Sequence, residues 1–135
     1  MIAFLDANAL IYLIEGEAAL AARVRARLQT LAAAHPALRI ALSRLSWLEC
    51  RVGPIKSASS ERLARFDAFF QQPDLIWLEL ERDVVEIATE LRGRLGLRTP
   101  DAMQAACCLK LGREHVMLTG DRGFARVEGL KVDWI

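Results

Sequence analysis

Cysteine is scarce: Cys50, Cys107 and Cys108 are the only three in 135 residues. An odd number without framework spacing excludes a disulfide scaffold. There is no Cys-x-x-C pair, and the two histidines, His35 and His115, stand far apart, so no zinc-ligand set is present. The cysteines are expected to be small buried apolar side chains in a reducing compartment. No apolar run reaches the roughly 18 to 20 residues that a membrane span needs. The opening Met1–Asp6 has no positive region and meets an acid at its sixth position, unlike a secretory leader, so a cytoplasmic protein is expected. Internal repeats, low-complexity tracts and domain-breaking linkers are missing. So are G-x-S-x-G, a Walker loop, G-x-G-x-x-G and a nearby Cys–His pair, which removes the common nucleophile and nucleotide-binding chemistries. An excess of one charge is lacking as well. At net +1, any nucleic-acid partner must be held by local patches and metal ions, not by a uniformly basic surface.

What is there is one domain's worth of chain, residues 1–135, with enough apolar residues for a core. Short apolar runs alternate with longer helical ones. Strands are expected at Ile2–Asp6, Arg39–Ser43, Leu75–Leu80, His115–Thr119 and Lys131–Trp134. Between them, Asn8 is expected to cap a short helix ending near Gly16. A long Ala- and Arg-rich helix should follow from Glu17 to His35. Ser43 should cap a helix that Gly53-Pro54 ends near Val52, leaving residues 55–60 as a polar loop. Further helices are expected at Ser60–Gln72, at Arg82–Leu95 and from Thr99-Pro100 to Leu111, with Thr99 as N-cap and Pro100 first in the helix. This alternation predicts an α/β fold with a mainly parallel sheet of four to five strands covered on both faces. Sites in such sheets form at the carboxyl ends of strands.

That rule draws attention to acids. Asp6 closes the first strand and Asp121 follows the fourth, so parallel strands would bring both to one edge; each alone reads equally well as a turn residue. Glu49 borders the stripe Leu45, Leu48 and Val52, where a carboxylate is costly unless a cation meets it. Arg44 and Arg51 are within reach to serve as that cation. Asp101, the second residue of its helix, suits the macrodipole but also lies where helix starts meet the strand ends. Four carboxylates at one edge would repel one another without a cation. Magnesium or manganese, hard ions that prefer oxygen, would relieve that repulsion. Held with open positions for water, such an ion does phosphoryl chemistry, and two ions about 3.5 to 4 Å apart can activate the water and stabilise the phosphate together.

The segments FLDANALIY, SWLECRVGP, LRTPDAMQAA and LTGDRGFARVEGLKV, in this order, resemble the PIN-domain family and, most of all, its VapC-type toxins of toxin–antitoxin pairs. The resemblance covers essentially the whole chain. It implies a three-layer α/β/α fold and a ribonuclease whose magnesium or manganese is bound by Asp6, Glu49, Asp101 and Asp121. Asn8 and Thr119 fall on positions that support those acids by hydrogen bonding. The resemblance further implies a homodimer, silenced by a cognate antitoxin in a hetero-oligomer, with Leu10, Ile11, Leu13 and Ile14 beside the long helix as a candidate groove. Gly123 is a departure, since many relatives carry another acid there, and it bears on a second metal. For RNA contact the candidates are Arg44, Lys56, Arg98 and Arg122, with Trp47 and Trp77 as base-stacking rings or core residues. Two other readings stand beside this one. One is an inactive PIN-like module that binds RNA or protein. The other is a haloacid-dehalogenase-like phosphatase, whose opening strand FLDAN resembles; that family wants a second aspartate at position 8, where this chain has Asn8, and a catalytic lysine.

Overall fold

The computed structural model describes all 135 residues. Five strands, β1 (Ile2–Leu5), β2 (Arg39–Ser43), β3 (Ile76–Leu78), β4 (His115–Thr119) and β5 (Val132–Trp134), form one sheet in the order β3-β2-β1-β4-β5. Every pairing is parallel. Side-chain alternation along the strands builds two cores, one on each face. Phe4, Ala41 and Met117 face α5 (Arg82–Leu95) and α6 (Thr99–Lys110), which bring Val84, Ala88, Ala102, Ala105 and Cys108. Ala3, Leu5, Leu42 and Leu118 face the other way. There they meet α1 (Ala7–Glu15), α2 (Ala18–Ala34), α3 (Arg44–Lys56) and α4 (Ser60–Phe70) through Leu10, Val24, Cys50, Phe66 and Phe70. The result is the three-layer arrangement that the strand–helix alternation implies.

All three cysteines are buried and free, as expected from their spacing. Burial pushes the thiols of Cys50 and Cys107 up to about 12, so they are inert neutral side chains. No helix is long and apolar enough to cross a membrane.

Several local expectations need correcting. Asp6, not Asn8, caps α1: its Oδ1 accepts from the Ala9 N–H at 2.7 Å, and its carbonyl accepts from Leu10. Gly53-Pro54 does not end α3, which runs on to Lys56 with Pro54 inside it. Pro54 sacrifices one hydrogen bond only one turn before the end, is itself buried, and Ser57 closes the helix through both its N–H and its hydroxyl to the Gly53 carbonyl. Lys56 therefore sits in a last helical turn, not a loop. The face α3 buries is Ser46, Cys50 and Pro54; Leu48 and Val52 are exposed. Arg98 precedes α6 as its cap, so Thr99 is the first residue and Asp101 the third. β3 is shorter than Leu75–Leu80, confined to Ile76–Leu78 at the sheet edge.

Candidate active site

Strand order fixes where a site can form. From β1 the chain moves outward through β2 to β3, then returns to the other side of β1 for β4 and β5. The direction reverses between β1 and β4, and the crevice beyond their carboxyl ends is the usual place for a ligand. Leu5 pairs with Leu118 at that end. Asp6 therefore emerges from one strand beside Thr119 and Asp121 emerging from the other.

The Thr119 hydroxyl joins the two acids. It donates to Asp6 Oδ2 and accepts from the Asp121 N–H at 3.0 Å. Asp121 then turns back on its own loop, its Oδ1 accepting from the Gly123 N–H at 2.9 Å. A Cβ at position 123 would stand 3.1 Å from that oxygen, so the tight turn favours glycine there. Asn8, also expected to support an acid, makes no hydrogen bond to one. It is exposed and lines a cleft that Asp121 also lines.

Glu49 and Asp101 arrive from two helices clamped together. Ser43 donates to Gln104 Oε1 at 2.8 Å, and Gln104 Nε2 donates to Ser46 Oγ at 3.0 Å. All three side chains are buried. Ser46 lies three residues before Glu49 on α3, and Gln104 lies three residues after Asp101 on α6. In a helix that spacing puts each acid one turn from the clamp, on the same side. This buried polar bridge was not anticipated; Gln104 inside the otherwise apolar run Ala102–Cys108 is the signal that marks it.

The electrostatics of these acids are distinctive. Burial is the main cause lifting the Asp6 carboxyl above its ordinary value. The Thr119 and Ala9 hydrogen bonds oppose the shift, and the charges of Asp121 and Asp101 add to it. Glu49 is raised too, by burial first and then by Asp101 and Asp6. The arginines that were candidates to neutralise Glu49 are engaged elsewhere. Arg44 pairs with Glu79 at 2.6 Å, and Arg51 pairs with Asp67. Only Asp101 has a cation near, the exposed Arg98 at 3.5 Å.

The arrangement thus gathers acids that influence one another without neutralising them. They do not close into a cage: no group of three or more His, Cys, Asp or Glu stands close enough to hold a metal ion. Like charges gain nothing by closing up with no cation between them. The donor set fits a hard divalent cation, being carboxylate oxygen throughout, with Asp6 held rigid by two hydrogen bonds.

The residues proposed for RNA contact are scattered. Arg98 lines a cleft with Asp101 and Asp121. Arg44 is held by Glu79 and lies over the Trp77 ring, its guanidinium carbon 4.3 Å from the centroid. Arg122 lies over Trp134 at 4.4 Å, and Lys56 is exposed at the end of α3. Trp47 and Trp77 pack with Phe70, at centroid distances of 5.1 and 5.4 Å, so both are core rings. Leu10 is buried, and Ile11, Leu13 and Ile14 pack against the same core. Tyr12, Arg23 and Arg126 do line the clefts beside the acids. Arg23 lies 17 residues from Asp6 in sequence, so proximity along the chain did not find it; Tyr12 and Arg126, six and five residues from Asp6 and Asp121, were passed over.

The PIN-domain family model matches residues 3–130. Among solved structures, the chain is similar to VapBC2 from Rickettsia felis bound to a DNA fragment from their promoter, with 21% identity and a TM-score of 0.79 over 99% of this chain and 98% of that one. A toxin-antitoxin complex from Klebsiella pneumoniae shares 26% identity at a TM-score of 0.71, covering 95% and 94%. VapBC-1 from nontypeable Haemophilus influenzae shares 19% identity at 0.73, covering 98% and 97%. No curated protein matches the chain at a significant level.

Proposed function

Because the chain belongs to the PIN-domain family, we propose that it is a metal-dependent endoribonuclease, the toxin of a toxin–antitoxin pair, acting in the cytoplasm. The observation that carries this reading is Asp6: a buried carboxylate at the strand-order reversal, raised by its burial and by neighbouring acids, with no cationic side chain to meet it. Burial of its charge costs stability that its two hydrogen bonds only oppose, and perturbed acids in a cleft are a mark of chemistry.

Asp6, Glu49, Asp101 and Asp121 would hold magnesium or manganese. When bound, the ion supplies an activated water and offsets charge building on the phosphate. The chain's own residues do the positioning. Thr119 fixes the Asp6 carboxylate and the Asp121 backbone with one hydroxyl. The Ser43–Gln104–Ser46 bridge sets the spacing of the helices that carry Glu49 and Asp101. Gly123, in place of a further acid, supports one metal site more than two. The toxin–antitoxin complex among the similar structures supports a cognate antitoxin as partner; the chain would act as a homodimer and in a hetero-oligomer with that antitoxin.

The test is cleavage of RNA by the purified chain across a magnesium and a manganese titration, beside growth arrest on expression and its relief by the antitoxin. Both activities should vanish in a folded Asp101→Asn variant. Growth arrest that persists in that variant overturns a catalytic toxin. Binding of RNA without metal-dependent cleavage by the wild type would favour the inactive module.

A further inference from the structure

Three clefts adjoin one another on the side that carries the acids. The first, about 340 Å³, lies between Asn8, Tyr12, Arg23, Gly120 and Asp121. The second, about 210 Å³, lies across Asp121 from it, between Gly96, Arg98, Asp101, Gly123 and Arg126. The third, about 280 Å³, continues along α2 from Arg23 past Arg27 and Thr30 to Trp134. Asp121 is a wall of the first two, and Arg23 is a wall of the first and third. Asp121 therefore stands where the first two clefts meet, with Asp101 in the second and arginines lining both.

Of those arginines, Arg98 meets Asp101 at 3.5 Å, while Arg23 and Arg126 have no carboxylate partner. Arg44, Arg51, Arg62, Arg65, Arg82 and Arg94 are each paired with a carboxylate on another part of the surface. Arg23 is exposed and, unlike Arg27, which meets Asp133 at 3.3 Å, has no carboxylate partner. Arg126 donates to the Leu95 carbonyl at 2.6 Å, which places its guanidinium without cancelling its charge. Gly96 ends α5 in the left-handed region, at φ +69°, and its missing side chain leaves the second cleft open. Tyr12 offers a half-buried ring in the cleft nearest the acids. Cations along a groove, together with an aromatic face, are how extended single strands are gripped.

We propose that a single RNA strand lies along this groove, its phosphates held by Arg23 on one side of the acids and by Arg98 and Arg126 on the other, with a base against Tyr12. The proposal rests on the ribonuclease reading and adds the substrate's path to it. It also fits a net charge of only +1, because local cations beside the acids, not a uniformly basic surface, would hold the strand.

The experiment measures binding of a fluorescein-labelled, mixed-sequence single-stranded RNA of about 12 nucleotides to the full chain in EDTA, over a range of salt. Arg23→Ala and Arg126→Ala should each weaken binding several-fold. Each should also lower the slope of log K against log salt by about 0.7, the value of one single-strand phosphate contact. Arg82→Ala, on an exposed turn of α5, should do neither. Tyr12→Leu keeps apolar bulk and should lose about five- to a hundredfold in affinity, while Tyr12→Phe stays near wild type. Unchanged slopes, or a loss confined to one arm, overturn the path. So does intact RNA binding in arginine variants that no longer co-purify with the partner encoded beside the gene, which would assign the groove to a protein segment. Because binding is read in EDTA, it fails or succeeds independently of cleavage: a wild type that does not cut RNA with magnesium sinks the ribonuclease reading instead.

Discussion

Carboxylates occupy two contrasting regions of this molecule. On the flank built by α1, α3, α4 and the end of β3, they meet arginines: Glu15 with Arg62 at 2.8 Å, Glu79 with Arg44 at 2.6 Å, and Asp67 with Arg51. The hydrogen bonds from Arg62 and Arg44 hold Glu15 and Glu79 below the usual carboxylate range. At the carboxyl edge of β1 and β4 the shifts have the opposite sign. Asp6 and Glu49 are raised by burial and by neighbouring acids, and neither meets a cation. The chain has arginines to spare and spends them away from its most buried acids. Paired surface acids contribute little to stability and do no chemistry. The unpaired acids cost stability and keep their oxygens free for a ligand.

The strongest way to break this contrast is Asp6→Asn. Outer-shell partners of a metal are worth about 10- to 100-fold in activity or affinity, so removing a direct ligand should cost more than that in RNA cleavage. Asparagine remains a good N-cap and fits the same space. Without metal the variant should therefore melt no lower than wild type, and the rise in Tm that magnesium or manganese gives the wild type by mass action should disappear. A metal-dependent rise that survives in the variant would remove Asp6 from the site.

Gln104→Leu tests the clamp between the two acid-bearing helices. Leucine suits an α6 interior but leaves Ser43 and Ser46 hydroxyls without their buried partner. The cost should be about 1–3 kcal/mol in unfolding free energy. Cleavage should fall by more than the unfolded fraction explains, up to about 100-fold, and a magnesium titration should shift to higher concentration. Gln104→Glu offers a second view, since it restores an acceptor for Ser43 but takes the donor from Ser46. A destabilised Gln104→Leu with unaltered magnesium dependence would make the clamp purely structural.

A weaker effect follows from the direction of the shifts. An acid whose folded value lies above its unfolded one binds more protons in the native state, so native stability falls as pH rises through the interval between the two values. Asp6 and Glu49 have this sign. Glu15, Glu79 and Asp83 have the reverse, and their contribution is lost as pH falls below the ordinary carboxylate range. Metal-free protein should therefore lose stability from weakly acidic pH upward, and Asp6→Asn should flatten that slope. Metal should stabilise more as pH rises, because it binds the deprotonated carboxylates. Melting scans with and without magnesium at several pH values would check both.

Much of this architecture was legible in the sequence because it follows from period and burial. The five strands, the layers and the edge that gathers Asp6 and Asp121 come from short apolar runs alternating with helical ones. Local capping was less legible, because several polar residues compete within one turn. Asn8 looked the better N-cap, yet Asp6 takes that role since the strand ends on it. The orientation of α3 was misread, because its buried stripe runs through Ser46 and Pro54 while Leu48 and Val52 face solvent. Polar residues can line a core when they hydrogen-bond each other, and a hydrophobicity pattern does not register that. Of the groove's arginines Arg98 was legible beside Asp101, and the others escaped notice for a different reason. Arg23 comes to Asp121 through the fold, from a position far along the chain, while Arg126, five residues after Asp121, was overlooked beside Arg122.

The smallest effect, and the most direct reading of the comparison, comes from making the same change in both regions. Glu79→Gln removes one charge from an exposed ion pair, in which Arg44 also rests on the Trp77 face and so keeps part of its contact. Both partners are more than a third exposed, so water and salt screen the pair. Its loss should cost about 0–1 kcal/mol, shrink in high salt, and leave RNA cleavage unaltered. Glu49→Gln removes one charge from a cluster in which burial, Asp101 and Asp6 all disfavour it. Metal-free stability should hold or rise, with little dependence on salt, because relief comes from a partly buried site that ions screen poorly. Opposite signs for two Glu→Gln changes, measured by urea denaturation of metal-free protein, would establish that the two sets of acids serve different ends. If Glu49→Gln instead destabilises the chain as Glu79→Gln does and still cleaves RNA, Glu49 belongs with the paired surface acids and the site loses one of its two helical carboxylates.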